Sequence, residues 1–219
     1  MKVAFVLPPF SRFPIGGYQM VYRYANALVE KGWQVDLYYL AERFMTSSRI
    51  FGDFKMVTKK VIEKINSNRN KLTWFSLNPK VSVYYHQIGR ITSQYDALIA
   101  TAVQTARFVL DQGHSQGEKY YFIQAFEDWT SGGTAQVLES YHLPLHKIVV
   151  AKWLEKVVFK ETGVHSDIIP NFVDTSQFYP SQAVEGRENS VALLHHVLPE
   201  KNSEFGIKVL KNVQKKYLI

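Results

Sequence analysis

The sequence predicts an α/β protein built on an open, doubly wound parallel sheet. Three observations predict it. Val3 to Leu7 is an almost unbroken apolar run, as in a strand buried on both faces. An amphipathic segment follows, and then a second apolar run, which makes a strand–helix–strand unit. The same alternation recurs along the chain as far as Pro170.

Pro8 and Pro9 end the first strand. Val21, Tyr24, Ala25, Leu28 and Val29 then repeat at helical spacing between Gly17 and Lys31, with Gly32 as the stop. Val35 to Leu40 is the second strand. "KVSVYYH" (Lys80 to His86) reads as a strand, and "YDALIATA" as another that ends at Ala102. "TARFVLDQG" is a short helix closed by Gly113, and "KYYFIQAF" is a strand from Lys119. "GTAQVLESYHL" is a helix stopped by Pro144, "KIVVA" a strand, "KWLEKVVFKETG" a helix ending at Gly163, and "DIIPN" a short strand.

Asn171 to Ser190 is polar and turn-rich with little periodicity, as in a connecting segment. Beyond it, Val191 to Leu194 reads as a strand and Glu204 to Tyr217 as a helix. One strand and one helix cannot bury their apolar faces alone. The expected organisation is a first domain over residues 1–180, a linker over 181–190, and over 191–219 the start of a second, incomplete domain.

Hydrophobic residues fill 46% of the 219 positions and charged residues 21%, a balance compatible with a real core. The chain has no cysteine, which excludes a disulfide framework and any thiolate metal site. The opening "MKVAFVLPPF" lacks the length and cleavage site of a secretory signal. No stretch approaches the roughly 18 apolar residues of a spanning helix. A soluble, cytoplasmic protein is the expectation.

The net charge is +7 and the pI near 9.4. Lys55 to Lys71 concentrates it: Lys55, Lys59, Lys60, Lys64, Arg69 and Lys71 stand against Glu63 alone. A solvated helix face explains this. So does peripheral contact with an anionic membrane, with Met56, Val57, Val61, Ile62 and Ile65 on the other side of the helix. Nucleic acid is disfavoured, because no RNP, zinc-finger or helix-turn-helix pattern accompanies the charge.

Ligands of open α/β sheets bind at the carboxyl ends of the strands. Gly16 and Gly17 lie at such an end, where a helix start offers unpaired N–H groups to a phosphate. The alternative is a loop glycine that needs a positive φ. GxGxxG is excluded, because Met20 stands where its third glycine belongs, and the Gly-Lys-Ser/Thr of a P-loop is absent. In "QAFEDW", Gln124, Glu127 and Asp128 end a strand. Glu127 suits an acid, a base or an acceptor for a sugar hydroxyl; the alternative is a carboxylate pair at a helix start. Lys201, between a strand and a helix, suits a diphosphate or is a plain surface lysine. Histidine carries little metal signal. Pro144 interrupts His142 and His146, and adjacent His195 and His196 point to opposite faces of a strand. No metal site is expected.

These segments together resemble the retaining GT-B glycosyltransferases of family 4. "GGYQMVYRYANALVEKGWQVDLY" resembles that family's Gly-Gly loop, first helix and second strand. "KIVVAKWLEKVVFKETGVHSDIIPNFVDTSQFYP" is similar to the strand, helix and "IPNGVD" crossover between its domains, and "HHVLPEKN" to its "GRL.PEKG" turn. "KYYFIQAFEDW" further resembles rhamnosyltransferase-type members that build surface polysaccharides. Three departures stand out. His195 and His196 replace Gly and Arg of the turn, Phe172 replaces the crossover glycine, and Gln124 stands near where many members have histidine. A neutral imidazole holds phosphate less well than a guanidinium fork.

The resemblance implies a Rossmann-like N-terminal domain and the first strand and helix of a nucleotide-sugar domain. It implies transfer of a sugar from a nucleotide-diphosphate sugar to a saccharide or lipid-linked acceptor, with retention and without a metal or cofactor. Gly16, Gly17, His196 and Lys201 would bear on the donor diphosphate, Glu127 and Gln124 on catalysis, and Tyr18, Asp128 and Asn171 on the acceptor or the crossover. By the same resemblance, the family's paired glutamates would belong to the remainder of that second domain, beyond residue 219. Two other functions fit the same residues: a non-catalytic subunit that binds an acceptor or a membrane, and a sugar-nucleotide epimerase.

Overall fold

The computed structural model describes residues 1–42, 72–188, 190–195 and 201–216. The chain divides into two compact units, Met1–Asn171 and Phe172–Ile219.

The first unit is a seven-stranded parallel sheet with helices on both faces, the Rossmann-like doubly wound arrangement. Its elements in chain order are β1 (Lys2–Leu7), α1 (Gly16–Glu30), β2 (Gln34–Leu40), β3 (Ser82–Gln87), β4 (Ala97–Ala100) and α2 (Val103–Leu110). There follow β5 (Glu118–Ile123), α3 (Gly133–Tyr141), β6 (His146–Val149), α4 (Lys152–Thr162) and β7 (Asp167–Ile168). The strand order is β3-β2-β1-β4-β5-β6-β7. The chain thus builds outward from β1 to β3, then returns to the other side of β1. The switch point lies between β1 and β4, where the loops beyond the strands diverge and leave a crevice.

Burial follows the alternation of side chains along a strand. Val3, Phe5 and Leu7 of β1 pack with Tyr18, Val21, Tyr22, Ala25 and Val29 of α1. Ala4 and Val6 face the other way, into a cluster with Val103, Ala106 and Val109 of α2, Val137 and Tyr141 of α3, and Leu154 and Val158 of α4. Both faces of β1 are therefore dry, which is why its run is uniformly apolar. Each large side chain so buried contributes roughly 1.5–3 kcal/mol before the entropy of ordering it.

Two predicted helix stops, Gly32 and Gly163, are real, whereas α2 ends at Leu110 on Asp111 and Gly113 lies beyond it in extended backbone. Gly32 has φ 82° and Gly163 φ 70°, a conformation that other residues adopt only with strain. At the end of α1, Gly32 N–H donates to Val29 O at 2.9 Å and Trp33 N–H to Leu28 O at 3.0 Å, which satisfies two terminal carbonyls.

In the second unit, the helix predicted from Glu204 is α5 (Ser203–Lys216). The strand predicted at Val191 to Leu194 is not present: this segment pairs with no strand among the described residues. Its apolar residues do other work. Leu193 lies against Gly206, where an added Cβ would meet its Cδ1 at 2.7 Å. Leu194 O accepts from Ser203 Oγ at 3.2 Å. A strand needs a neighbour for its N–H and C=O groups, and here the segment serves instead as the brace of α5.

Candidate functional site

Two helices begin at the switch point, one on each face of the sheet. Gly16 and Gly17 are the first two residues of α1. Neither has a positive φ, so the loop-glycine alternative is corrected: both are already helical. Packing does not require glycine here either. A Cβ on Gly16 would meet nothing within 4 Å, and one on Gly17 would touch Gln124 Nε2 at an ordinary 3.4 Å. Ile15 precedes them in extended backbone, offers no capping side chain, and no acidic residue lies in the first turn. The first α1 amide to reach a carbonyl before the helix is that of Gln19, which donates to Ile15 O at 2.9 Å. The start of α1 is bare backbone with the positive end of the helix dipole behind it.

The start of α2 is closed. Val103 N–H donates to Glu127 Oε2 at 2.7 Å. Thr105 Oγ1 accepts from Thr101 N–H at 2.9 Å and Ala102 N–H at 3.0 Å, and donates to Ala102 O at 2.8 Å. Thr101 is itself tied to β1, its hydroxyl donating to Val6 O at 2.9 Å. These groups carry the edge of the site, and the linear sequence gave little sign of them. Ala102, at the capping position, has no side-chain oxygen. The caps come from three residues later and from a different strand end.

Gln124 and Glu127 join the two starts. Gln124 follows β5, and its Nε2 donates to Gly17 O at 3.1 Å, which ties the β5 end to the first turn of α1. Its Oε1 is buried with no hydrogen-bond partner. Glu127 is partly buried, and burial pushes its carboxyl up to about 7; the bond from Val103 opposes this rise. It is therefore a helix-start carboxylate, as one alternative held, but it serves α2 rather than the helix that follows it. Being poised near neutrality, it can also exchange a proton. Burial first, then the charge of Glu127, pushes the Tyr141 hydroxyl up to about 12. Tyr141 OH too is buried without a partner.

The remaining sequence candidates are dispersed. Tyr18 is buried, and its hydroxyl donates to Pro9 O at 2.8 Å, so it holds the β1–α1 loop in place. Burial, then Tyr22 and Glu127, raise its pKa far above the usual phenol range. Asp128 is exposed. Asn171 is exposed at the end of the first unit, next to Pro170, whose carbonyl accepts from Tyr24 OH at 3.2 Å. Lys201 is exposed just before α5 in the second unit. His196 and the basic segment Lys55–Lys71 lie outside the described residues. His142 and His146 do not converge: His142 pairs with Glu161 at 3.0 Å and His146 with Glu118 at 3.6 Å. Among the described residues, no three His, Cys, Asp or Glu side chains gather as a metal site, and no helix is long and apolar enough to cross a membrane.

A scan of protein-family models finds no match to this chain, and neither does a search of curated proteins.

Proposed function

We propose that the protein is a retaining, metal-independent glycosyltransferase that moves a sugar from a nucleotide-diphosphate donor to a saccharide or lipid-linked acceptor during surface polysaccharide assembly. The observation that supports this most is the bare, glycine-built start of α1 beside a carboxylate poised near neutrality. Amides at a helix start suit a diphosphate, and glycine lets its oxygens come close. On this reading the Gly16 and Gly17 amides bear on the charge that accumulates on the diphosphate as the glycosidic bond breaks.

Glu127 and Gln124 act on the acceptor side. The carboxylate of Glu127 accepts a hydrogen bond from the acceptor hydroxyl and takes its proton as the new bond forms. Gln124 orients the acceptor through Oε1, the oxygen its bond to Gly17 leaves unused, by accepting from a second hydroxyl of the saccharide. Asp128 and Asn171 serve acceptor or crossover contacts, and Lys201 and His196 keep the phosphate role that the family resemblance implies. The nucleotide sugar is a substrate, and no cofactor enters the scheme.

Incubation with labelled nucleotide sugars, with and without acceptor, tests the class of reaction. Transfer that depends on acceptor is expected; epimerised sugar without acceptor would point to the rival chemistry. Lys201→Ala is expected to lower turnover sharply. Unchanged turnover would remove Lys201 from the site.

A further inference from the structure

The outward side of α4 carries a pattern that sugar transfer does not use. Leu154 and Val158 turn inward and are fully buried. Helix geometry, with 3.6 residues per turn, then sets Lys152, Lys156 and Lys160 in a stripe on the opposite side. All three are exposed. Trp153, 53% exposed, borders the stripe on one flank and Phe159, 41% exposed, on the other. The Phe159 ring stacks on His165 at 4.2 Å.

The acidic residues of α4 are turned aside. Glu155 bonds His165 Nδ1 at 2.7 Å and Glu161 bonds His142 Nε2 at 3.0 Å. The outward stripe thus holds three lysines and no carboxylate, with an aromatic ring at each margin. A protein partner favours an apolar centre and a charged rim; this face has the reverse order. A nucleic-acid duplex would use the lysines and leave two apolar rings in water. An anionic bilayer uses both. Its headgroups attract the ammonium groups, while lysine stems and an indole settle at the boundary between headgroup and acyl chain.

From this arrangement we infer that α4 is a docking face for an anionic lipid membrane. The inference concerns a different element from the basic segment Lys55–Lys71, and it stands whether or not the protein transfers sugars.

The test is sedimentation of the protein with phosphatidylcholine vesicles, with and without phosphatidylglycerol. Binding only to the anionic vesicles is expected. The triple variant Lys152→Gln, Lys156→Gln, Lys160→Gln is expected to partition roughly a hundredfold more weakly, given about a fivefold effect per lysine. Its circular dichroism should match the parent, since all three side chains are exposed. The matched variant Lys59→Gln, Lys60→Gln, Lys64→Gln measures the other basic segment. Wild-type binding by the α4 variant overturns the inference, as does failure of the parent to bind anionic vesicles. A change in the lipid-free protein's sedimentation caused by the α4 variant also overturns it, by assigning the face to contact between copies. Quenching by brominated phosphatidylglycerol provides a second readout. Trp153→Phe should remove most of the tryptophan quenching and Trp129→Phe little of it; the opposite result overturns the assignment of α4.

Discussion

The two helices that begin at the switch point are finished in different ways. The Thr101, Ala102 and Val103 amides at the start of α2 each find an oxygen within the chain, from Glu127 or Thr105. At the start of α1 the chain supplies no capping side chain, no acidic residue and two glycines. One helix start is closed by side chains of the frame, and the other is not capped by a side chain. The difference also sorts the nearby side chains. Glu127 caps α2 through Oε2 while burial raises its pKa, whereas Gln124 holds α1 by its nitrogen and leaves its oxygen unpaired.

The largest effect should come from opening the closed start. Thr105 is fully buried, and Thr105→Val keeps its shape while leaving the Ala102 amide without an acceptor; the Thr101 amide retains Val6 O at 3.2 Å. Urea unfolding is expected to show a loss of up to about 3 kcal/mol, from about 1–3 kcal/mol for a buried group left unpaired. A loss below about 1 kcal/mol, at the low end for a single group, would mean that α2 is not closed in this way.

A second effect of similar size depends on pH. Burial raises the Glu127 pKa from 4.5 to about 7 in the folded protein. The folded chain then holds the proton more tightly than the unfolded chain, so stability falls as pH rises through that window. The loss should approach about 3 kcal/mol. Glu127→Gln keeps an oxygen for Val103 N–H and cannot ionise, so its stability should vary less between pH 5 and 8. Parallel pH profiles for the two proteins would show that Glu127 is not the displaced group.

The frame was legible in the sequence because its signals are local. The two-faced burial of β1 appears as a continuous apolar run, and Gly32 and Gly163 mark helix ends that require positive φ. The site was legible only in part. Gly16, Gly17, Gln124 and Glu127 were recognisable as residues at strand ends. That Glu127 would cap a helix 24 residues earlier in the chain is a long-range contact that no periodicity encodes. The same limit explains the segment Val191 to Leu194. Its composition is that of a strand, but strand pairing depends on a neighbour, and composition does not supply one.

The smallest structural perturbation gives the most direct test. Gly16→Ala adds one methyl group where nothing lies within 4 Å and where no positive φ is required. The folded protein should therefore tolerate it and gain up to about 1 kcal/mol from better helix propensity. If the bare start of α1 receives a diphosphate, that methyl occupies the line of approach. Calorimetric titration with uridine, thymidine and guanosine diphosphates should show wild-type binding to at least one of them and roughly tenfold weaker binding by the variant, about 1.4 kcal/mol. Equal affinity in a variant of equal or greater stability would contradict the account, and so would no binding of any of the three by the wild type.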